Sequence, residues 1–305
     1  MVETKYALVT GASSGIGLEV TKELLRRGWY VYACARRTNP MEELRAEFGE
    51  RCIPRKLDVS NHNDIIQLKL KLEQELPDQK LHLLYNNAGQ SCTLPALDAT
   101  DEAIENAFRV NVFGPINSCR ELSPLIINAK GTIVFTGSLA GICPFPFGAI
   151  YSSTKAAIHQ YARVLHVELS PLGVRVINVI TGGVATDIAD KRPLPESSIY
   201  NFPEGVKALH SRQKMSEKNQ PMSPADYARE TVNDIENVSV DPVDVYRGTM
   251  ATVVRWLMLL VPYSLLEWGL RKKFKLDPVY AVLGKRQLQS QRQRQQQLEN
   301  AIKHD

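Results

Sequence analysis

Short apolar runs alternate with longer amphipathic stretches along most of this chain. Tyr6-Ala7-Leu8-Val9 reads as a first strand, and an amphipathic segment from about 18 to 27 follows it, closed by Gly28. Later strands are predicted at Tyr30–Ala35, at 81–85 (the fourth), at Thr132–Thr136 (the fifth) and at 174–179 (the sixth). Apolar runs without polar alternation suit strands covered on both faces. The repeat of strand and helix therefore predicts an α/β fold: one doubly wound parallel sheet with helices on both faces.

The 305 residues exceed the roughly 250 of one such domain. The surplus lies at the C-terminus, where 249–270 is the most hydrophobic stretch. Arg255 and Glu267 bracket eleven uncharged residues there, fewer than the ~20 that span a bilayer, and Pro262 interrupts them. Trp256, Tyr263 and Trp268 stand among leucines, and Arg271, Lys272, Lys273 and Lys275 follow directly. This pattern suits a monotopic segment lying in the interface of an anionic membrane. It also suits a buried helix that covers a substrate site or a dimer contact. The predicted division is a catalytic domain over 1–248, an apolar and basic membrane-associating segment over 249–283, and a polar tail over 284–305. The tail, with seven glutamines among five basic and two acidic residues, reads as a solvated helix or a disordered extension.

Apolar residues make up 44% of the chain, enough for the core of a parallel sheet, and the net charge of +4 is too small to argue for nucleic acid. Cys34, Cys52, Cys92, Cys119 and Cys143 show no metal or redox spacing and read as reduced, mostly buried thiols of a cytosol-facing protein. The first strand begins within a few residues of Met1, so no cleavable signal or transit peptide is expected.

Three clusters carry chemistry. The first strand runs straight into Thr10-Gly11-Ala12-Ser13-Ser14-Gly15-Ile16-Gly17 and then a helix, the context of a dinucleotide-binding turn. Glycines let backbone N–H groups approach a pyrophosphate, and the helix start adds partial positive charge. The second strand ends in Arg36-Arg37, with Arg36 nineteen residues after Gly17, where an NAD site would carry an acid. A guanidinium there suits a ribose 2′-phosphate, so the expected cofactor is NADPH. Finally, Tyr151 and Lys155 are one helical turn apart, with Ser138 thirteen residues upstream of the tyrosine. An ammonium beside a phenol favours the phenolate and makes the tyrosine a usable acid or base.

With Asn86-Asn87-Ala88-Gly89 after the fourth strand and Asn111 in the next helix, these motifs resemble the short-chain dehydrogenases/reductases over 5–190. The resemblance implies a Rossmann-type domain in which Tyr151 gives a proton to a carbonyl, Lys155 tunes it and bonds the nicotinamide ribose, Ser138 orients the carbonyl, and Asn111 holds a water of the proton relay. It further implies cofactor contacts from Gly11, Ser13, Ser14, Gly15, Ile16, Gly17, Arg36 and Arg37. Asp58 falls at the adenine, Asn87, Ala88 and Gly89 near the central sugar, and Val184 and Thr186 at the carboxamide. It also implies dimer formation through the helices that carry Asn111 and Tyr151. Thr181-Gly182-Gly183-Val184-Ala185-Thr186 departs from the family by having threonine for proline, which removes a φ restraint and predicts a looser or differently bent loop.

Stretches at 30–37, 84–100, 131–140, 174–200 and 241–249 resemble the branch of the family that reduces acyl-dihydroxyacetone phosphates. That implies a phosphorylated acyl-ketone lipid as substrate, and the cytosolic face of the endoplasmic reticulum membrane and the lipid-droplet surface as location. The long insertion at 187–224 carries Lys191, Arg192, Lys207, His210, Arg212 and Lys214, and reads as a basic lid able to hold a phosphate or as a solvated loop. Other lipid ketones, such as ketosteroids or 3-ketoacyl compounds, remain open as substrates. One rival activity shares the glycine turn. Gly11-Ala12-Ser13-Ser14-Gly15 satisfies the nucleophile elbow of an acyl-ester hydrolase, with His159, His166 or His210 as candidate partners of Ser13.

Overall fold

Ala7 and Val9 face one side of a central sheet, Leu8 faces the other, and all three are fully buried. This is the double-sided burial expected of a parallel sheet. The computed structural model describes residues 4–302; residues 1–3 and 303–305, the outer ends of the predicted catalytic domain and tail, lie outside the described residues. In chain order the elements are β1 (Tyr6–Thr10), α1 (Gly15–Arg26), β2 (Tyr30–Ala35), α2 (Asn39–Phe48), β3 (Cys52–Lys56), α3 (His62–Glu75), β4 (Leu83–Asn86), α4 (Asp101–Phe108), α5 (Gly114–Ala129) and β5 (Thr132–Thr136). Then follow α6 (Ala149–Leu169), β6 (Arg175–Thr181), α7 (Pro203–Gln213), α8 (Met215–Lys218), α9 (Pro224–Glu236), β7 (Asp244–Arg247), α10 (Ala251–Leu260), α11 (Tyr263–Lys273) and α12 (Leu276–Ile302).

The seven strands pair in the order β3-β2-β1-β4-β5-β6-β7, every pair parallel. The chain winds outward from β1 to β3 and then crosses to β4, so a crevice opens beyond the carboxyl ends of β1 and β4. One layer of core joins the sheet to α1, α2 and α9 through Val20, Leu24, Met41, Leu44, Val232 and Ile235. The other joins it to α3, α5 and α6 through Ile65, Leu72, Leu122, Ile126, Ile158 and Ala162. Each of these side chains except Ala162 contributes on the order of 1.5–3 kcal/mol by leaving water.

The boundaries shift where tertiary pairing intervenes. Leu81 N–H donates to the Leu125 carbonyl at the end of α5 rather than to a neighbouring strand, so β4 begins later than its apolar run. β6 extends to Thr181 because Ile180 and Thr181 pair with Tyr246 and Arg247 of β7. No apolar run announces β7. Its register rests on Asp244, whose carboxylate accepts from Arg163 (3.0 and 2.8 Å) and from Asn178 Nδ2 (2.8 Å).

The C-terminal segment divides in two. Pro262 separates α10 from α11, and Val253, Trp256, Leu259, Leu260, Tyr263 and Trp268 on these helices are at least half exposed. Phe274, Leu276 and Val279 are instead buried against Phe202 and Ala208 of the 187–224 insertion, with Phe145 and Phe147 beside them. So the second part of the segment is buried on the insertion, and Lys273 from it lines the cleft. Among the described residues no helix is long and apolar enough to cross a membrane. The tail is helical as far as Ile302, and the division at 283/284 falls inside α12. All five cysteines are free and buried.

Candidate active site

One cleft of about 1050 Å³ opens at the crevice between β1 and β4. Gly11, Ser13, Ser14, Gly15 and Ile16 form its floor at the start of α1. Gly11 and Gly15 have φ of +67° and +54°, a left-handed backbone that favours glycine. A Cβ on Gly17 would lie 2.3 Å from the Gly11 carbonyl oxygen and 2.4 Å from Asn87 Nδ2, so only glycine lets the turn close on the helix. Ser14 caps α1 with no side-chain hydrogen bond, and no acid stands in the first turn. The helix start therefore keeps free N–H groups, the donor set that a pyrophosphate needs.

Arg36 and Arg37 leave the end of β2 as exposed residues lining the same cleft, and no carboxylate partner is found for either among the described residues. Asp58 lines the wall between them and Ala88–Gly89, its carboxylate accepting from the backbone N–H and hydroxyl of Ser60 (3.0 and 2.7 Å). Asn87 also lines the cleft, but its side chain ties strands together. Nδ2 donates to the Thr10 carbonyl (3.0 Å), and Oδ1 accepts from Thr136 Oγ1 (3.2 Å). These features fit a dinucleotide with a phosphorylated ribose.

Val184 and Thr186 line the far wall, on a loop that is pinned rather than loosened by the missing proline. Gly183 exchanges backbone hydrogen bonds with Thr249 (2.9 and 3.0 Å), and Ala185 N–H donates to Met222 (3.0 Å). Thr181, in the proline's place, has its hydroxyl 2.6 Å from Tyr227 Oη. Side-chain and bridge contacts replace the lost φ restraint.

Ser138, Tyr151 and Lys155 meet at the inner end of the cleft. Lys155 is almost fully buried, donates from Nζ to the Thr136 carbonyl at 2.7 Å, and lies 5.8 Å from the centre of the Tyr151 ring. Burial pulls its ammonium down to about 8. Burial also raises Tyr151, opposed by a hydrogen bond from Ser138 and by the charge of Arg212. The phenol thus stays protonated at neutral pH, the form in which it can give a proton. The phenol is therefore not lowered as the Lys155 spacing predicts, because burial outweighs the opposing groups, and the cation whose charge opposes it is Arg212, a place its position in the basic insertion did not reveal.

Asn111 sits in a π-helical turn, Arg109–Phe113, and is buried behind the cleft wall rather than lining it, with Oδ1 3.4 Å from where a Cβ on Gly89 would lie. Nδ2 donates to the Gln90 carbonyl (2.9 Å) and to Thr154 Oγ1 (3.0 Å), and Oδ1 accepts from Gln90 N–H (2.9 Å). Both amide hydrogens are occupied, which leaves one acceptor position on Oδ1 for a water.

His159 was named in sequence only as a partner for Ser13, and the structure gives it another task. Tyr151, Lys155 and His159 form a stripe at four-residue spacing along α6, a signal present in the sequence. Ser138 N–H donates to His159 Nε2 at 3.1 Å, and the ring packs against Gly137 and Gly141. Burial holds the imidazole neutral, down to about 4. The unfolded chain binds this proton near pH 6.5 and the folded one only near 4, so folded stability falls as pH drops through that window. The loss is about 1.4 kcal/mol per pH unit per proton. His159→Leu leaves Ser138 N–H without an acceptor and should cost roughly 1–3 kcal/mol in urea unfolding at pH 7. The gap from the native protein should narrow by pH 5. A constant gap would show that the imidazole does not titrate as its burial demands.

Among the described residues no histidine lines the cleft that Ser13 faces, so the hydrolase reading has no base to activate that hydroxyl. Of the basic insertion, Arg192 is occupied. Its Nε and Nη2 grip the Asp190 carboxylate (3.0 and 2.7 Å), while Asp190 also accepts from Thr93 N–H (2.8 Å).

A family model described as short chain dehydrogenase matches residues 5–196. The NADPH-dependent 1-acyldihydroxyacetone phosphate reductase of Saccharomyces cerevisiae is 64% identical over 284 residues, covering 93% of this chain and 95% of its own. Among solved structures, a short-chain dehydrogenase from Streptomyces avermitilis superposes with a TM-score of 0.75 at 26% identity, covering 88% of this chain and 97% of that one. A short chain dehydrogenase from Burkholderia cenocepacia in complex with NADP gives 0.66 at 26% identity, covering 90% and 98%.

Proposed function

The chain belongs to the short-chain dehydrogenases, and from that premise we propose that it uses NADPH to reduce the ketone of a 1-acyldihydroxyacetone phosphate to a 1-acylglycerol 3-phosphate. The observation that carries the reaction is the meeting of Ser138, Tyr151 and Lys155 at the inner end of the cleft. The substrate is supported by the activity of the yeast relative and its similarity over nearly the whole chain.

When bound, NADPH supplies a hydride to the carbonyl carbon. Its phosphates fit the free N–H groups of α1 and the Arg36–Arg37 pair. Ser138 holds the carbonyl oxygen, and Tyr151 Oη gives that oxygen the proton that makes the alcohol. Lys155, anchored on Thr136, lies beside the phenol, and the free acceptor of Asn111 Oδ1 lies with Lys155 Nζ behind Gly89, on the route by which the phenol would regain a proton. One hydride and one proton convert C=O to CH–OH, and the balance closes.

The exposed apolar faces of α10 and α11, next to Lys272, Lys273 and Lys275, support a monotopic seat on an anionic phospholipid surface, at the endoplasmic reticulum or a lipid droplet. The division into a catalytic part to 248, a membrane-seated part to 283 and a polar tail belongs to this reading. Phe113, Val164 and Val167, exposed near Asn111 and on α6, support a homodimer through that face.

An NADPH-oxidation assay tests the substrate with three ketones: acyl-dihydroxyacetone phosphate, a 3-ketoacyl ester and a ketosteroid. The phosphorylated lipid should be turned over with the highest kcat/KM. Activity confined to the steroid or the ketoacyl ester would overturn the lipid assignment. The same protein should float with phosphatidylserine vesicles, and Trp256→Ser with Leu260→Ser should stay at the bottom of the gradient. Equal flotation of both would move the membrane contact elsewhere.

A further inference from the structure

We propose that Arg212 and Lys273, brought together from α7 and the end of α11, form the subsite for the phosphate monoester of the substrate. The inference rests on the lipid-ketone reading and says which residues read the headgroup. Both side chains line the cleft that holds Tyr151, and both come in beside Phe145, Arg212 stacked on its ring and Lys273 next to Phe274, which packs on it edge-on. Burial holds the Cys143 thiol up near 11, neutral, so it does not neutralise them.

Arg212 is the unusual member. It is largely buried, and its Nε has no hydrogen-bond partner among the described residues. The guanidinium stacks 5.4 Å from the centre of the Phe145 ring and lies against Gly148, which opens α6 one turn before Tyr151. The groups whose charge acts on it are Tyr151 and Cys143, and among the described residues no carboxylate holds it. Glu217 lines the same cleft without bonding either cation. A buried guanidinium with open donors is costly unless an anion completes it. Lys273 is exposed and reaches in from the rim, held in place by Phe274 packed edge-on to Phe145.

Substrate chemistry selects this spot. In an acyl-dihydroxyacetone phosphate, one carbon and one oxygen separate the carbonyl carbon from phosphorus. The group that binds the phosphate must therefore stand beside the tyrosine that serves the ketone. Arg212 does. Arg192, gripped by Asp190, holds the loop instead. Met250 and Val254 line another part of the cleft wall and lead onto the exposed face of α10, an apolar path for the acyl chain.

The test pairs kinetics with direct binding. With Arg212→Met, KM for acyl-dihydroxyacetone phosphate should rise about 10- to 100-fold, as expected for loss of charge-assisted hydrogen bonds. KM for the same lipid without phosphate should rise far less. Arg212→Lys keeps the charge but not the fork and should fall between, and Lys273→Met, a rim substitution that does not disturb the core, should give a rise of about 3- to 10-fold. Glycerol 3-phosphate titrated into the NADP⁺-loaded protein should bind to wild type and fail to bind to Arg212→Met. Equal KM rises for both lipids, or an Arg192→Met variant that matches Arg212→Met, would overturn the subsite. Absence of glycerol 3-phosphate binding to wild type would overturn it as well. Binding that depends on Arg212, without turnover of either lipid, would instead overturn the functional reading and leave the phosphate subsite standing.

Discussion

Tyr151→Phe should lower ketone reduction by about 10²- to 10⁴-fold while NADPH still binds, the scale of a lost general acid. The substitution removes one oxygen and leaves the ring in place. Phe keeps the apolar contact, and the hydrogen bond lost is the one from Ser138. Ser138 Oγ still accepts from Ala140 N–H at 3.1 Å, so the serine loop keeps its shape. The cost to stability should stay near 1 kcal/mol, within the range of one hydrogen bond. NADPH fluorescence on binding should match wild type, because the glycine turn and Arg36 are untouched. Two outcomes would count against the assignment. Retention of more than a tenth of the activity would move the acid elsewhere, and loss of cofactor binding would make Tyr151 structural.

Arg36→Asp should reverse the cofactor preference. Arg36 is exposed at the end of β2, and no protein carboxylate holds it among the described residues, so its charge is available to a 2′-phosphate. Replacing it with a carboxylate removes a charge-assisted fork and places like charges together, while creating an acceptor for a ribose 2′-hydroxyl. Each effect is worth a few kcal/mol, so the ratio of kcat/KM for NADPH over NADH should fall by about 10²- to 10³-fold. Arg37 next door can carry part of the load, and Arg36→Asp with Arg37→Ala should complete the change. An exposed site far from the core predicts little change in melting temperature. A ratio altered less than threefold in the double variant would show that the phosphate is read by other residues.

Much of this protein was legible as sequence because the informative interactions are local. The glycine turn is a backbone requirement, visible as residue type. Gly11 and Gly15 need their left-handed φ and Gly17 its missing Cβ, wherever the rest of the chain goes. Double-sided burial wrote β1, β2 and β5 as apolar runs. The Tyr151–Lys155 spacing is a property of one helix. β7 was not legible, because an edge strand held by Asp244, Arg163 and Asn178 carries its signal in residues far apart. The split of the apolar segment was hidden for the same reason. Trp256 and Phe274 look alike in composition, and only the packing of Phe274 against Phe145 makes one exposed and the other buried.

The charges divide along the same line. Sequence by itself determined that the chain is a parallel α/β nucleotide-binding protein and set Tyr151 and Lys155 one turn apart as its candidate acid and tuner, since periodicity, glycine spacing and a one-turn helical pair act within a few residues. Tertiary structure alone decided which cations serve the site. Arg192 and Arg212 belong to one basic insertion, yet Asp190 neutralises the first, and burial beside Phe145 and Tyr151 leaves the second open. The value of a charge depends on what surrounds it in space, and the order of residues does not record that.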